Sequence, residues 1–451
     1  IYVIHLRMHG SFQKNNMGSY DVDRNVHRIT LYSTVAAEQQ HISKKKRLYL
    51  HLDMNCFYAQ VEQVSYKLYG LPVIVGGWRK QNGTPRGIVA TSSYEARKLG
   101  IKTAMSAYEA ANICPYIIFL QVHYSKYQAI SRQIRAILDN YSPDVEGYSM
   151  DEFFLDISFM LNRSEQDIIK MCTRLKNEIY NKVGLICSTG VSYSKTYSKL
   201  ASDIQKPDGL TLVMNEEQAE EIIHPLPLDE VWGIGSRRYA KLQHAGIKTI
   251  RDAMKRGPVP FEKLFGAYFG KMLFETATGK DKAKVIEPVH TPDEITYMHT
   301  FSDWTKDPQR VKGEISKAVG QLCYRMRGYG CRANAFGMYI RFQDAGWKGV
   351  NVLFTTPGFT NLDSYILPCC YDAAMPLVNK FLCEGMAIRG VGLNTVKMSY
   401  ALQQELFFQE DEHGRKLYHG IDMINNRFGL ESVRMASSMY AVEGKTHFFD
   451  R

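Results

Sequence analysis

The sequence has no apolar run long enough to cross a membrane. Nowhere in its 451 residues does a stretch approach the ~20 apolar positions that a transmembrane helix needs. The opening residues, IYVIHLRMHG, are interrupted by His5 and Arg7, so they are too short for the apolar part of a secretion signal. We therefore expect a cytoplasmic protein without a membrane partner.

Cysteines at metal-binding spacing are also missing. None of the nine cysteines belongs to a CxxC pair or lies near a histidine pair at zinc spacing. Free cysteine packs as a small hydrophobic side chain. We therefore expect all of them to be reduced core residues: Cys56, Cys114, Cys172, Cys187, Cys323, Cys331, Cys369, Cys370 and Cys383.

Repeats and low-complexity tracts are absent, and neither sign of charge dominates. The chain carries 56 Lys and Arg against 46 Asp and Glu, a formal charge of +10. This excess suits a polyanion such as nucleic acid, although many soluble proteins share it. The length predicts roughly two to four domains.

The first strong structural signal is an apolar strand that ends in an acid. Residues 48–52 form a short apolar run that predicts a buried strand, and Asp53 follows it directly. An isolated buried charge costs several kcal/mol, so this carboxylate is expected to pair with a cation or to bind a metal. Helical spacing follows over residues 59–69.

Two further acids lie at the tip of a predicted hairpin. Residues 144–158, DVEGYSMDEFFLDIS, combine turn residues with alternating apolar side chains and place Asp151 and Glu152 at the tip. If these acids meet Asp53, a hard oxygen-binding cation such as Mg²⁺ would relieve their repulsion. The alternative is that Asp53 caps a helix and the other two are ordinary turn residues.

Several other side chains suit a nucleotide. Tyr94 and Arg97 lie three residues apart on a predicted helix and share one face, where a phenol and a guanidinium suit a triphosphate. Lys206, just before the helix-breaking Pro207, offers another donor. The alternative for these three is a solvated helix face.

Two short motifs also have a structural and a functional interpretation. Phe57 and Tyr58, directly after the first acid, are either core aromatics or the floor beneath a bound sugar. The run Gly233-Ile234-Gly235 is either a plain tight turn or a turn that presents backbone amides to phosphate.

The order of the predicted elements indicates an α+β sheet domain of the split βαβ kind, then a helical region from about residue 214, then another α+β module. Further strands are predicted at 71–75, 88–90, 185–191, 336–342, 350–354 and 388–400, and helices at 94–99, 124–141, 165–182, 194–205 and 308–325.

Five segments together resemble the Y-family DNA polymerases of the DinB/UmuC-like group. They are LHLDMNCFYAQVEQV (50–64), ATSSYEARKLGIKTAMS (90–106), YSMDEFFLDIS (148–158), GVSYSKTYSKLASDIQKPDGL (190–210) and VWGIGSRRYAKLQHAGIKTI (231–250). The resemblance covers residues 48–250 in motif and 295–400 in character. It implies template-directed addition of dNTPs to a primer 3′-hydroxyl, with low-fidelity translesion synthesis in DNA repair or an SOS-type damage response.

The resemblance also assigns roles. Asp53, Asp151 and Glu152 correspond to the catalytic acids that hold two Mg²⁺ ions, with Mn²⁺ as a substitute, and Met54 to a backbone carbonyl ligand. The residues that correspond to the dNTP-binding set are Phe57, Tyr58, Thr91, Tyr94, Arg97 and Lys206. Tyr58 corresponds to the steric gate that excludes ribonucleotides, and Gly233 and Gly235 to the thumb turn that binds primer–template DNA.

The implied fold is a multi-domain α+β right-hand polymerase. Its expected parts are an N-terminal extension without regular structure (1–46), a split βαβ palm (47–56 and 124–213), small fingers (57–123), a helical thumb with a helix-hairpin-helix (214–285), a linker (286–294), an α+β little finger (295–402) and a C-terminal tail (403–451). We expect a monomer.

The tail contains a motif for a protein partner. Gln403, Leu406 and Phe407 lie in QQELF, which resembles the QxxLF-type peptide that docks on bacterial sliding clamps. Residues 417–437 resemble the C-terminal helix and RFG turn of bacterial UmuC-like members. We therefore expect a bacterial cell, or one infected by a phage, and a place near the nucleoid. A palm-type nucleotide cyclase and an inactive DNA- and clamp-binding protein are the alternatives.

Overall fold

A computed structural model describes residues 47–79, 83–286, 292–343, 349–400, 411–428 and 431–441. The chain forms two compact units, Ile1–Pro288 and Val289–Arg451, and the boundary between these ranges falls within the predicted linker 286–294. The predicted extension 1–46 lies outside the described residues. In the part that is described, no helix has the length and apolarity needed to cross a bilayer.

The first unit alternates short strands and helices before it becomes wholly helical. In chain order its elements are β1 (Tyr49–Met54), α1 (Phe57–Tyr66), β2 (Val73–Val75), β3 (Trp78–Arg79), β4 (Pro85–Arg86), β5 (Thr91–Ser92), α2 (Tyr94–Lys98), α3 (Ala107–Ile113), β6 (Ile118–Leu120), α4 (Tyr124–Leu138), β7 (Val145–Gly147), β8 (Glu152–Asp156), α5 (Glu165–Val183), β9 (Cys187–Ser192), α6 (Lys195–Ile204), β10 (Leu210–Val213), α7 (Glu216–Ile222), α8 (Ser236–His244), α9 (Ile250–Arg256), α10 (Val259–Phe265) and α11 (Ala267–Ala277).

The main sheet of this unit has the strand order β10-β9-β1-β8-β7. β1 lies in the middle and pairs antiparallel with both β8 and β9. Its side chains alternate between two faces. Leu50 and Leu52 pack into the core with residues of α4 and α5. His51 faces α6 and is hydrogen-bonded to Ser202. Because helices cover both faces, β1 is buried along its whole length, including His51 and Asp53 on the face toward α6.

Helix α6 approaches the sheet most closely at Gly190 of β9. A Cβ atom at this position would lie 2.1 Å from the carbonyl oxygen of Ser198. Only glycine leaves room for the helix backbone there. This close packing sets the distance between α6 and the face of the sheet that carries Asp53.

The part of the chain between β1 and β7 forms a smaller sheet with the strand order β5-β2-β6. The predicted strand at 88–90 is wrong by position, since β5 comprises Thr91 and Ser92 and pairs with β2 through Val75↔Thr91. Ile88 forms only an isolated bridge to Ser106. The hydrogen bonds of the Val89 amide and the Ala104 amide join this stretch to a loop instead of a strand.

The second unit is an antiparallel sheet with helices on one face. Its elements are β11 (Thr296–Thr305), α12 (Pro308–Gly328), β12 (Arg332–Phe342), β13 (Val350–Thr360), α13 (Asp363–Cys383), β14 (Ile388–Ser399) and α14 (Glu412–Phe428). The strand order is β11-β14-β12-β13. Apolar side chains from the sheet, α12 and α13 form one core.

Sequence reasoning missed β11 and α13. α13 contains Pro368 and Pro376, which are typical helix breakers. Burial overrides this local preference, because Ile366, Cys370 and Ala374 are spaced by one turn and are fully buried in the core of the unit. The helix therefore forms in spite of its prolines.

Part of the predicted tail is built into the second unit. The Arg327 guanidinium of α12 binds both oxygens of Asp422 in α14, at 2.6 and 2.9 Å, and Asp363 in α13 at 2.9 Å. Three helices are thereby joined by one cation. The predicted clamp-binding residues Gln403, Leu406 and Phe407 lie outside the described residues.

All nine cysteines are free thiols, as predicted. Seven are buried, whereas Cys369 is half-buried and Cys383 is exposed. The prediction of a core position is therefore wrong for Cys383, which is the last residue of α13.

Candidate active site

Strand pairing brings the three predicted acids to one end of the main sheet. Asp53 lies directly opposite Glu152 in the β1–β8 register. The amide of Met54 donates a hydrogen bond of 2.9 Å to the carbonyl oxygen of Asp151. The predicted hairpin is confirmed, since β7 and β8 pair antiparallel and Asp151 ends the turn between them. Directly opposite residues share a face, so Asp53 and Glu152 face the same side.

Lysines neutralise two of these acids. Lys206 Nζ lies 2.7 Å from Asp53 Oδ2 and 2.6 Å from Asp203 Oδ1. Lys199 Nζ of α6 lies 2.5 Å from Glu152 Oε2. Asp151 instead accepts a hydrogen bond of 2.5 Å from the hydroxyl of Ser149 in the same turn.

The environment separates the pKa values of the three acids. Burial outweighs the lowering effect of Lys206 and, with smaller contributions from the Glu152 and Asp151 charges, raises the pKa of Asp53 to about 6. Burial and the Glu152 charge also raise the pKa of Asp151. Burial opposes ionisation of Glu152 as well, but His51 and Lys199 outweigh it and lower this pKa to about 2. The three carboxylates are thus close enough to affect one another.

The acids suit a divalent metal by chemistry and by backbone placement. Carboxylate and carbonyl oxygens are the donors that Mg²⁺ prefers. Burial is the main cause of the raised pKa of Asp53 and the charges of Glu152 and Asp151 add to it, so a bound cation would favour the ionised form. The side chains of Asp53 and Glu152 point at lysines, however. Accordingly, among the described residues no three His, Cys, Asp or Glu side chains gather into a metal-ligating group.

The predicted triphosphate contacts lie on the α2 side of Asp53. Ser93 caps α2 by accepting a hydrogen bond from the amide of Ala96. The Arg97 guanidinium lies 5.1 Å from the centre of the Tyr94 ring. The Tyr94 hydroxyl is buried and has no hydrogen-bond partner in the described part of the chain. Burial raises the pKa of Tyr94, and the charges that act on it include Arg97, Lys206 and Asp53.

Thr91 precedes this group on β5, opposite Val75. Its hydroxyl donates a hydrogen bond of 2.8 Å to the carbonyl oxygen of Ala90. The Thr91 hydroxyl is therefore hydrogen-bonded to the preceding residue, and Thr91 lies on the strand that precedes α2.

The two aromatics after Asp53 have different environments. Phe57 is 2% exposed and its ring belongs to the core. Tyr58 is half-buried and stacks on Tyr127, with ring centroids 4.3 Å apart. Burial raises the pKa of Tyr58 to about 12, with further contributions from Tyr124 and from the Asp151 charge. Tyr58 is therefore within electrostatic range of Asp151.

The glycine motif forms a tight turn before α8. Gly233 has a φ of +86°, which other residues rarely adopt. Gly235 begins the helix, and Arg238 Nη1 donates a hydrogen bond of 2.7 Å to the carbonyl oxygen of Gly233. The turn thus presents the backbone amides at the start of a helix.

Sequence reasoning missed His51 and Lys199. His51 lies two residues before Asp53, so strand alternation places it on the same face, fully buried and 3.8 Å from Glu152. This distance exceeds a hydrogen bond. Burial lowers the pKa of His51 to about 4. Lys199 lies one helical turn after Lys195 on α6, and this spacing is the sequence pattern that could have identified it.

Comparisons with known proteins identify relatives of this chain. A model of the impB/mucB/samB family matches residues 52–203. DNA polymerase IV of Lactococcus lactis subsp. cremoris is 36% identical over 305 residues, which cover 67% of this chain and 82% of that protein. DNA polymerase IV of Desulfatibacillum aliphaticivorans is 32% identical over 400 residues, which cover 87% of this chain and 97% of that protein.

The fold has a counterpart among solved structures. A Y-family DNA polymerase chimera of Dbh and Dpo4 superposes with a TM-score of 0.66 at 24% identity, covering 77% of this chain and 98% of that one. This likeness confirms the predicted α+β polymerase fold. Together with the curated relatives, it shows that the chain belongs to the DinB-like group of Y-family DNA polymerases and is a DNA-directed DNA polymerase of the translesion type.

Proposed function

We propose that Asp53, Asp151 and Glu152, with the backbone carbonyl of Met54, hold two Mg²⁺ ions at the end of the β1–β8 pair. The observation that carries this assignment is the Asp53↔Glu152 register, which places two carboxylates on one face beside a third. When bound, the ions supply charge neutralisation and activation of the primer hydroxyl. Mn²⁺ would be accepted by the same oxygen donors.

In this proposal Lys206 changes partners during the cycle. Its Nζ atom lies 2.7 Å from Asp53 Oδ2. A triphosphate would offer it several anionic oxygens, next to Arg97 and the unpartnered hydroxyl of Tyr94. Catalysis then consists of holding the reacting groups in place and neutralising charge.

Tyr58 is the proposed steric gate. Its stacking on Tyr127 holds the ring in one orientation beside Asp151, where it would contact the sugar of the incoming nucleotide. Phe57 would contribute through its backbone and Thr91 through its position before α2.

The remaining parts of the chain would hold DNA and a protein partner. We assign the turn at Gly233 and Gly235 to the duplex backbone, because it presents amides at a helix start. The palm, fingers, thumb and little finger keep the boundaries given above. QxxLF at 403–407 would dock on a bacterial sliding clamp. Such a monomer would serve error-prone synthesis on damaged chromosomal DNA in the cytoplasm.

Primer extension with Mg²⁺ tests the acid assignment. Asp151→Asn removes one carboxylate charge without changing side-chain volume, and loss of several kcal/mol of charge stabilisation should reduce extension by about 10³-fold. Binding of primer–template should survive. The matched control is Asp139→Asn, an acid at the exposed end of α4. Synthesis retained by the Asp151 variant would exclude the assignment.

A further inference from the structure

The turn that opens the thumb motif contacts the hairpin that carries the acids. The Trp232 ring packs edge-on against Tyr148, with centroids 4.7 Å apart and an interplanar angle of 76°. It also lies parallel to Phe154 of β8 at 6.4 Å. Tyr148 lies three residues before Asp151 in the hairpin turn. The two motifs, far apart in sequence, therefore share one aromatic cluster.

The contacts continue from Tyr148 to the catalytic glutamate. Lys199 Nζ lies 5.6 Å from the centre of the Tyr148 ring and 2.5 Å from Glu152 Oε2. The amides of Tyr148 and Ser149 donate to the carbonyl oxygen of Glu152, at 3.0 and 3.2 Å. A displacement of Tyr148 would therefore act on Glu152 through both its backbone and its counter-ion.

A buried ion pair anchors the base of this cluster. Lys195 Nζ lies 2.6 and 2.7 Å from the two oxygens of Glu146 on β7. The same ammonium group lies 4.6 Å from the Phe154 ring centre and 6.0 Å from that of Trp232. The position of Trp232 is thus tied to β7, β8 and α6 together.

The Trp232–Tyr148 contact fixes the orientation of the two rings more than it buries apolar surface. Trp232 is 37% exposed and Tyr148 is 41% exposed. Edge-to-face aromatic pairs are directional and stabilise a particular ring orientation. Two half-exposed rings that pack edge-on add little to a core, but they restrict how the thumb turn and the hairpin move relative to each other.

We propose that Trp232 and Tyr148 are positioning residues that couple the thumb turn's hold on duplex DNA to the placement of Asp151 and Glu152. This inference rests on the proposed roles of those acids and of the Gly233–Gly235 turn. Primer–template binding at the turn would restrict Trp232, and through Tyr148 and Lys199 it would stabilise the hairpin in its catalytic arrangement.

Single-turnover incorporation by the full chain, with saturating primer–template and dNTP, tests the coupling. Trp232→Ala should slow incorporation about two- to tenfold, the range expected for loss of one aromatic pair, while the Kd for primer–template changes less than about twofold. Trp232→Phe should restore most of the rate. Tyr148→Leu should give a similar loss, and the double variant should be no slower than the slower single variant.

Amide hydrogen exchange without metal supplies a readout independent of activity. In the wild type and in Trp232→Phe, primer–template should slow exchange of the Tyr148 and Ser149 amides, and in Trp232→Ala it should not. Tyr180→Ala, an exposed aromatic on α5, is the matched control. Equal protection in wild type and Trp232→Ala, or additive effects in the double variant, would overturn the coupling. Retained synthesis by Asp151→Asn would instead overturn the acid assignment, so the two failures are distinguishable.

Discussion

The acidic side chains at the end of β1 are partly neutralised by lysines. Two of the three acids have a lysine within 2.7 Å, and the pKa of Asp53 is nevertheless raised to about 6 because burial dominates. The folded chain therefore holds a carboxylate that ionises less readily than an exposed aspartate, and a bound cation would offset this effect. Tyr58, by contrast, is held by ring stacking and needs no charge partner.

Removal of the Tyr58 ring should relax sugar selection. Tyr58→Ala opens the space beside Asp151, so the ratio of deoxy- to ribonucleotide incorporation should fall by at least about tenfold, as expected when steric rejection of a hydroxyl is lost. Single-nucleotide insertion assays with matched dNTP and rNTP measure this ratio. Tyr66→Ala, exposed on the same helix, should not change it. An unchanged ratio in Tyr58→Ala would remove the residue as the gate.

The raised pKa of Asp53 predicts a pH dependence of stability without metal. The folded state keeps the Asp53 proton up to about pH 6, whereas the unfolded chain loses it near pH ~4. The folded state therefore binds more protons in this window, and the free energy of unfolding falls as pH rises. Relative to Asp53→Asn, the wild type should lose up to about 3 kcal/mol between pH ~4 and ~7. Urea unfolding with EDTA measures this difference, and a constant or rising difference would contradict it.

Helices and strands hold the face that carries the three acids by close packing. α6 carries Lys199 and contacts β9 without side-chain space at Gly190. In the second unit, Arg327 plays the corresponding role by ion pairing, because Asp363 is almost fully buried and would be left without its cation if Arg327 were removed. In both units one position sets how a helix lies on its neighbours.

Gly190→Ala should displace α6. The new Cβ would meet the Ser198 carbonyl at 2.1 Å, which the backbone can relieve only by moving apart. We expect a loss of roughly 3 kcal/mol or more in the free energy of unfolding, at the upper end for overpacked cores. Urea denaturation measures it. Gly328→Ala, which has open space around the added methyl group, should be tolerated, and equal stability of both variants would refute the packing argument.

The whole chain combines a formal charge of +10 with two compact units. The positive charge suits a DNA polymerase, since contacts with phosphate favour association at low salt. The second unit incorporates residues 411–428 and 431–441, through Arg327 and Asp422 among other contacts. The proposed clamp-binding segment therefore precedes a folded element in the chain.

Clamp stimulation tests the role of that segment. Replacing both Leu406 and Phe407 by Ala removes the apolar part of the docking motif, so the ratio of synthesis with and without a bacterial sliding clamp should fall to about one. The control is replacement of Gln409 and Glu410 by Ala, since these residues lie just outside the motif and their loss should leave the ratio unchanged. Full stimulation of the double Ala variant would exclude QxxLF as the docking site.

Much of the site was predictable from short segments. The alternation in β8 and the turn residues before it identified the hairpin, and the apolar run before Asp53 identified β1, since both patterns are local. β5 was misplaced because its pairing with Val75 depends on a partner strand distant in sequence. α13 was missed because burial of Ile366 and Cys370 outweighs two prolines.

Local pattern therefore identified side chains that could act, and the resemblance of five segments to the Y-family DNA polymerases selected the functional interpretation for them: the three acids, the α2 pair of Tyr94 and Arg97, and the glycine turn. Their mutual arrangement came from packing, because a register such as Asp53↔Glu152 exists only once β1 and β8 pair. The same holds for the contact of Trp232 with Tyr148 and for the burial that raises the pKa of Asp53. Both depend on distances between segments that the chain brings together only when it folds.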